Sequence, residues 1–252
     1  MALLEQGRWD ATVAHISVER SGEAPLDAIL AWPEPKFDGE TFHPLILLPD
    51  IFGIRPLFDD IAQRLASHGW CVLAPEPFSR IPRKVREGME IEARFAAMPD
   101  LVDSLQLADM KACAAYLAAM PECTGGKPGV IGFCAGGYYA FKTAQAGIAS
   151  AVVAFYGMLR TPATWDGPGH YGPLDSEPAR TPTLAWFGSL DPWVPLADVE
   201  TFAATWRGPH RAVVIEGADH GFVHDPDRPA HRPEDAVMCW QESLRWLRDP
   251  VE

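Results

Sequence analysis

The sequence predicts an α/β fold, in which helices flank a mostly parallel sheet, on three observations. Short apolar runs alternate with helix-length amphipathic segments, as in strands joined by crossover helices. Several of these runs are continuously apolar, which is typical of strands buried on both faces. The 252 residues are 48% hydrophobic and 22% charged, a composition that suits one large core. We therefore expect a single domain over residues 1–252.

The predicted strands begin with an antiparallel hairpin at the edge of the sheet, formed by Trp9–Val18 and Leu26–Ala31 across Ser21-Gly22. The later predicted strands are Pro44–Leu48, Cys71–Ala74, Gly129–Phe133, Ala151–Phe155, Thr183–Phe187 and Ala212–Ile215. Helical spacing of apolar residues predicts helices at about Leu57–His68, Leu101–Pro121, Tyr138–Ala146 and Val237–Leu247.

Two predicted connections, at about residues 76–98 and 158–181, are longer and less regular than ordinary loops. Both follow strands at the carboxyl edge of the sheet, where ligands bind in open α/β folds. We expect these insertions to form walls or lids of an active site. The alternative is that they are surface insertions without function, since loops lengthen at small energetic cost.

Charge and composition restrict the partners and the compartment. The formal net charge of −13 argues against nucleic acid, because phosphate binding needs clustered Lys and Arg. No run approaches the roughly 18–20 apolar residues that span a bilayer, and no secretory leader pattern is visible. The five cysteines form no CxxC pair, which favours a reducing compartment. We expect a cytoplasmic monomer or homodimer that acts on a small molecule, away from membranes.

The segment Gly132–Gly137, GFCAGG, carries the main chemical signal. It fits the pattern G-x-nucleophile-x-G between a strand and a helix, with Cys134 as the nucleophile. Gly132 and Gly136 leave room for close packing around a sharp turn that a Cβ would block. The turn also brings the thiol to a helix N-terminus, where the dipole and free N–H groups favour a thiolate and a developing oxyanion.

An acid and a base follow the nucleophile in the order that this kind of site requires. Asp191 follows the strand Thr183–Phe187, and His220 follows the strand Ala212–Ile215. We expect His220 to take the proton of the thiol and return it to the leaving oxygen, while Asp191 fixes its tautomer. Asp219 is a rival acid, although adjacent side chains seldom point at one another. Together these residues predict an α/β-hydrolase fold with a Cys–His–Asp catalytic triad.

From about Trp9 to Leu247 the sequence resembles the dienelactone hydrolase (carboxymethylenebutenolidase) family. The motifs that carry the resemblance are LPDIFG at residues 48–53, GFCAGG at residues 132–137, DPWVP at residues 191–195 and HGF at residues 220–222. The resemblance implies that an enol-lactone is opened to an oxo acid through a thioester on the cysteine. No metal or other cofactor is implied.

The resemblance also implies roles for residues around the nucleophile. The backbone N–H groups of Ile51 and Ala135 would form the oxyanion hole. Asp50 stands where the family carries a Glu that holds the thiol unreactive until substrate binds, and it is one methylene shorter. A turn-forming role after Pro49 is the alternative for Asp50.

Two arginines of the family bind the carboxylate of the lactone. One position corresponds here to His224, and the other lies in the insertion at residues 76–98, where Arg94 is the first candidate and Arg86 the second. A solvated charge cluster is the alternative for both arginines. With His224 in place of Arg, the substrate either lacks this carboxylate or binds it differently.

Other functions remain open at this stage. Within hydrolases, a broad-specificity carboxylesterase or thioesterase competes with a lactone hydrolase. A metal enzyme could use His220, His224 and Asp225, but Gly221 and Pro226 argue against a helix that would align the two histidines. A non-catalytic binding protein with the same fold is the third class.

Overall fold

The computed structural model describes residues 4–165 and 167–250, which form one eight-stranded sheet. The strands are β1 (Ala11–Val18), β2 (Leu26–Pro33), β3 (His43–Leu48), β4 (Trp70–Pro75), β5 (Gly129–Phe133), β6 (Val152–Phe155), β7 (Thr183–Gly188) and β8 (His210–Ile215). Their spatial order is β1-β2-β4-β3-β5-β6-β7-β8. The β1–β2 and β2–β4 pairs are antiparallel, and every other pair is parallel.

Helices cover both faces of the sheet. They are α1 (Pro56–Ser67), α2 (Arg83–Arg86), α3 (Ile91–Ala97), α4 (Asp103–Ala119), α5 (Ala135–Gln145), α6 (Leu196–Thr205) and α7 (Pro233–Arg248). Helices α1 and α7 share one hydrophobic core with one face, while α4, α5 and α6 share a second core with the other. No helix in the described ranges is both long enough and apolar enough to span a bilayer.

The predicted sheet and its antiparallel edge hairpin are confirmed, whereas several helices differ from the prediction. Helix α5 begins at Ala135, so Cys134 is the last residue before it. The insertion at residues 76–98 contains α2 and α3, and the sequence prediction lacks α6. Helix α6 buries only Val199 and Phe202, so its apolar periodicity is too weak to recognise beside the prolines that precede it.

The topology brings distant residues to one edge of the sheet. Because β3, β5, β6, β7 and β8 are mutually parallel, their carboxyl ends lie together. The residues that follow these ends, in the same order, include Asp50, Cys134, Tyr156, Asp191 and His220. This edge is therefore the place where a site can be assembled.

Candidate active site

Cys134 occupies a strained turn between β5 and α5. Its φ of 55° lies in the left-handed region, which few residues other than glycine adopt. Its N–H donates to the carbonyl of Phe155 at 3.0 Å, which ties the turn to the end of β6. A Cβ on Gly132 would lie 2.1 Å from the carbonyl oxygen of Gly136, so the turn closes only with glycine there. The thiol is partly exposed at the start of the helix, as a nucleophile must be.

The structure brings His220 and Asp191 together. The Nδ1 atom of His220 lies 2.8 Å from Oδ2 of Asp191, and since a carboxylate only accepts, this Nδ1–H donates. The other oxygen of Asp191 accepts the N–H of Trp193 at 2.8 Å, which fixes the carboxylate. The rival Asp219 is exposed, and its carboxylate accepts the backbone N–H of His220 instead of a ring nitrogen.

The charge of His220 depends on Cys134. Burial alone would lower the pKa of His220, but the charge of an ionised Cys134 and the hydrogen bond to Asp191 raise it to about 10. His220 is therefore protonated at neutral pH when the thiol is ionised. The ring also contacts the edge of Tyr156, with ring centroids 5.1 Å apart. This arrangement can supply a thiolate and an adjacent proton donor.

Two backbone N–H groups are available beside the nucleophile. Those of Ile51 and Ala135 make no hydrogen bond within the described residues. The end of β3 and the start of α5, beside which these N–H groups lie, are closely packed. A Cβ on Gly136 would lie only 2.2 Å from the carbonyl oxygen of Leu48. The two loops can approach each other only because this position is glycine. Both N–H groups are thus free to bind an oxyanion.

The carboxylate of Asp50 forms its hydrogen bonds with groups other than the Cys134 thiol. Its Oδ1 accepts the N–H of Phe52 at 3.0 Å and Nη1 of Arg55 at 2.7 Å. Its Oδ2 accepts Nη2 of Arg55 at 3.0 Å and Nε2 of His224 at 2.8 Å. A carboxylate has about four acceptor sites, and these four donors fill them. The expected contact between Asp50 and the Cys134 thiol is therefore not made in this structure.

The structure places His224, a candidate substrate-binding residue, in the interior of the protein. His224 is only 2% exposed, and both of its ring nitrogens already have protein partners. Nε2 faces Asp50, and Nδ1 forms a hydrogen bond with the hydroxyl of Tyr156. No ring nitrogen remains for a substrate or, together with His220, for a metal ion. Among the described residues, no group of three His, Cys, Asp or Glu side chains is arranged to hold a metal.

Arg86 and Arg94 line a cavity of about 520 Å³ that also borders Phe52 and Arg55. None of the triad residues lines this cavity. Arg86 pairs with Asp27, which offsets its charge. Arg94 donates to three backbone carbonyls at 3.0–3.4 Å, and within the described residues it has no carboxylate within 4.0 Å. Of the two candidates, Arg94 is the one whose charge is not neutralised by an ion pair.

Sequence reasoning missed Arg55, Tyr156 and Trp193. Tyr156 has a φ of 41°, and its strained backbone places the ring between His220 and His224. Trp193 stacks on Phe95 of α3 with centroids 5.9 Å apart, so the insertion at residues 76–98 contacts the loop that carries Asp191. The sequence does contain a signal for Tyr156, because it is an aromatic residue directly after a buried parallel strand.

The mostly parallel sheet and the strained turn before α5 define an α/β-hydrolase. Residues 26–250 match the model of the dienelactone hydrolase family, and the chain belongs to that family. It is accordingly a hydrolase of esters or lactones.

Individual relatives agree with this assignment. A Synechocystis sp. protein provisionally named a carboxymethylenebutenolidase is 30% identical over 79% of this chain and 82% of its own length. A Bradyrhizobium sp. protein provisionally named a 2-oxo-3-(5-oxofuran-2-ylidene)propanoate lactonase is 31% identical over 81% of this chain and 82% of its own. A crystal structure from Klebsiella pneumoniae subsp. pneumoniae MGH 78578, provisionally titled a dienelactone hydrolase, superposes with a TM-score of 0.85 at 27% identity. That superposition covers 95% of this chain and 99% of the other.

Proposed function

We propose that this hydrolase opens lactones or cleaves activated esters through a thioester on Cys134, with His220 and Asp191 completing the triad. The observation that carries the proposal is the Asp191–His220 hydrogen bond next to a cysteine held in a strand-to-helix turn. A thiolate suffices for such substrates because an enolate or an activated alkoxide is a good leaving group. An amide would demand more assistance.

The reaction follows from these positions. The thiolate attacks the carbonyl carbon and forms a C–S bond, while the carbonyl oxygen takes the electron pair and binds the N–H groups of Ile51 and Ala135. The tetrahedral intermediate then expels the ring or ester oxygen, which receives the proton of the His220 imidazolium. Neutral His220 next takes a proton from water, and the resulting hydroxide attacks the thioester. The acid is released and the thiolate–imidazolium pair is restored.

The charges around the site bear on the substrate. His224 is buried and bonded within the protein, so it does not supply the cation that the family resemblance places there. Arg94 uses three of its five donors on carbonyls, which leaves two for a ligand in the adjoining cavity. The name of the Bradyrhizobium relative specifies a lactone with a propanoate group. We propose an uncharged lactone or ester, or a carboxylated lactone held by Arg94.

The test combines a substrate panel with trapping of the intermediate. Dienelactones, simple lactones and aryl esters are compared by kcat/KM, each carboxylated compound beside its methyl ester. Mass spectrometry of quenched reactions should find the acyl group on the peptide that contains Cys134. Cys134→Ala should retain the fold and lose more than about 10⁴-fold in kcat, as nucleophile removal does in a related triad. Turnover by Cys134→Ala near the wild-type rate would rule out the thioester route.

A further inference from the structure

The peptide group between Ile51 and Phe52 is held at both ends. Its N–H donates to Oδ1 of Asp50 at 3.0 Å, and its carbonyl accepts Nη1 of Arg94 at 3.4 Å. The preceding peptide group carries the Ile51 N–H that faces the oxyanion. Because Asp50 and the Ile51–Phe52 peptide flank that group, fixing both of them restricts the direction of the Ile51 N–H.

Asp50 is itself fixed by two side chains, the nearby Arg55 and the buried, distant His224. Arg55 binds both carboxylate oxygens, at 2.7 and 3.0 Å, and His224 binds Oδ2 at 2.8 Å. Burial alone would raise the pKa of the Asp50 carboxyl, but the hydrogen bonds and charges of His224 and Arg55 hold that pKa well below its usual range. Asp50 is therefore an anion with every acceptor site in use.

The protonation of His224 follows from its two neighbours. Burial lowers the pKa of His224, although Asp50 opposes this effect, so the ring is neutral at neutral pH. A carboxylate cannot donate, so Nε2 carries the ring hydrogen and donates to Asp50. Nδ1 then accepts from the hydroxyl of Tyr156, since burial also raises the pKa of Tyr156 and keeps it protonated. The direction of each hydrogen bond in this chain is thereby set.

The series of hydrogen bonds from Asp50 through His224 to Tyr156 ends beside His220, the proposed catalytic base. The ring of Tyr156 packs edge-on against His220, at 5.1 Å between centroids, and its backbone N–H is bonded to the carbonyl of Trp186 at 2.7 Å. We propose that Asp50, His224 and Tyr156 are positioning residues, a buried hydrogen-bonded chain that fixes the direction of the Ile51 N–H. The inference rests on the function proposed above. Asp50 in this role supports the oxyanion hole and does not restrain the thiol.

Tyr156→Phe tests this role because it removes only the hydroxyl and keeps the ring against His220. The matched control is Tyr139→Phe, which deletes another buried tyrosine hydrogen bond, to the carbonyl of Leu101, and leaves the hydrogen bonds of Asp50 and His224 intact. For each variant, kcat and KM are measured on an aryl ester, and Cys134 alkylation by iodoacetamide is measured with Cys134→Ser as the background. Alkylation reports the reactivity of the thiolate without needing an oxyanion hole.

We expect Tyr156→Phe to lower kcat by about 10- to 100-fold, less than the roughly 10²–10³-fold that full loss of one oxyanion donor costs. KM and the alkylation rate should stay within about two-fold of wild type, and Tyr139→Phe should leave all three unchanged. Asp50→Asn keeps the shape of the side chain but loses its charge, and it should likewise lower kcat without changing the alkylation rate. It is the second test of the inference if Tyr156→Phe does not fold.

Two results would overturn the inference alone: equal kcat in Tyr156→Phe and Tyr139→Phe, or an alkylation rate that changes in step with kcat. The second result would assign the chain to control of the thiol. A wild-type protein that hydrolyses no ester or lactone would instead overturn the proposed function, and the inference with it.

Discussion

Two histidines of the loop after β8 each lie 2.8 Å from an aspartate, yet their pKa values are shifted in opposite directions. The pKa of His220 is raised to about 10, whereas the pKa of His224 is lowered. Burial opposes protonation of both rings. The difference comes from the other neighbouring groups, which for His220 include Cys134, whose ionised form raises the pKa, and for His224 include the positive charges of Arg55 and Arg228, which lower it. An Asp–His pair alone therefore does not identify a catalytic base.

The largest effect should come from breaking the Asp191–His220 pair, the proposed catalytic acid and base. Asp191→Asn should lower kcat/KM by roughly 10²- to 10⁴-fold, because an amide does not stabilise the imidazolium and allows the other tautomer. Asp219→Asn is the control, since Asp219 is exposed and bonded only to a backbone N–H among the described residues. It should change kcat/KM by less than about three-fold. A larger loss of kcat/KM in Asp219→Asn than in Asp191→Asn would show that Asp219, and not Asp191, is the acid.

Breaking the other pair should act mainly on stability. Asp50→Ala leaves Arg55 and His224 without their anion in a buried site, and removing one partner of such a pair costs about 3–5 kcal/mol. Asp60→Ala breaks only a surface pair with Arg64 one helical turn away, which is worth less than about 1 kcal/mol. Urea unfolding of both variants measures the contrast. Equal losses would mean that the Asp50 contacts are as weak as surface ones.

The smallest predicted effect is a change in histidine protonation, which directly tests the difference between His220 and His224. In ¹⁵N-histidine NMR spectra, His220 should lose its proton as pH rises through about 10, and this pKa should fall in Cys134→Ser because a hydroxyl carries no charge. His224 should stay neutral from about pH 7 upward in both proteins, since its pKa is lowered from the ordinary value near 6.5. Titration of His224 above pH 7 would contradict the neutral ring.

The sequence predicts well what depends on local chemistry. A sharp strand-to-helix turn needs glycine at fixed spacings, so Gly132 and Gly136 predict the turn at Cys134 that the structure contains. The order of strands then locates Asp191 and His220 at the same edge. The mostly parallel sheet follows from the apolar runs in the same way.

The sequence predicts poorly what depends on distant pairing. Asp50 and His224 are 174 residues apart, and nothing local to either one indicates that they are bonded. The family resemblance implies that His224 meets the substrate, while its burial depends on the packing of several elements. Arg55 precedes α1 in a segment without any pattern, so its bidentate contact with Asp50 could not be foreseen.

The spacing of the two histidines has an evolutionary consequence. His220 and His224 must reach partners on different strands, and the residues between them are themselves constrained. Phe222 and Val223 are fully buried, and Gly221 has a φ of 84°, in the left-handed region that favours glycine. A single insertion or deletion within this interval would misalign both rings at once. We therefore expect lineages of this enzyme to vary in length at residues 76–98 and 158–181, while the interval from His220 to His224 stays invariant in length.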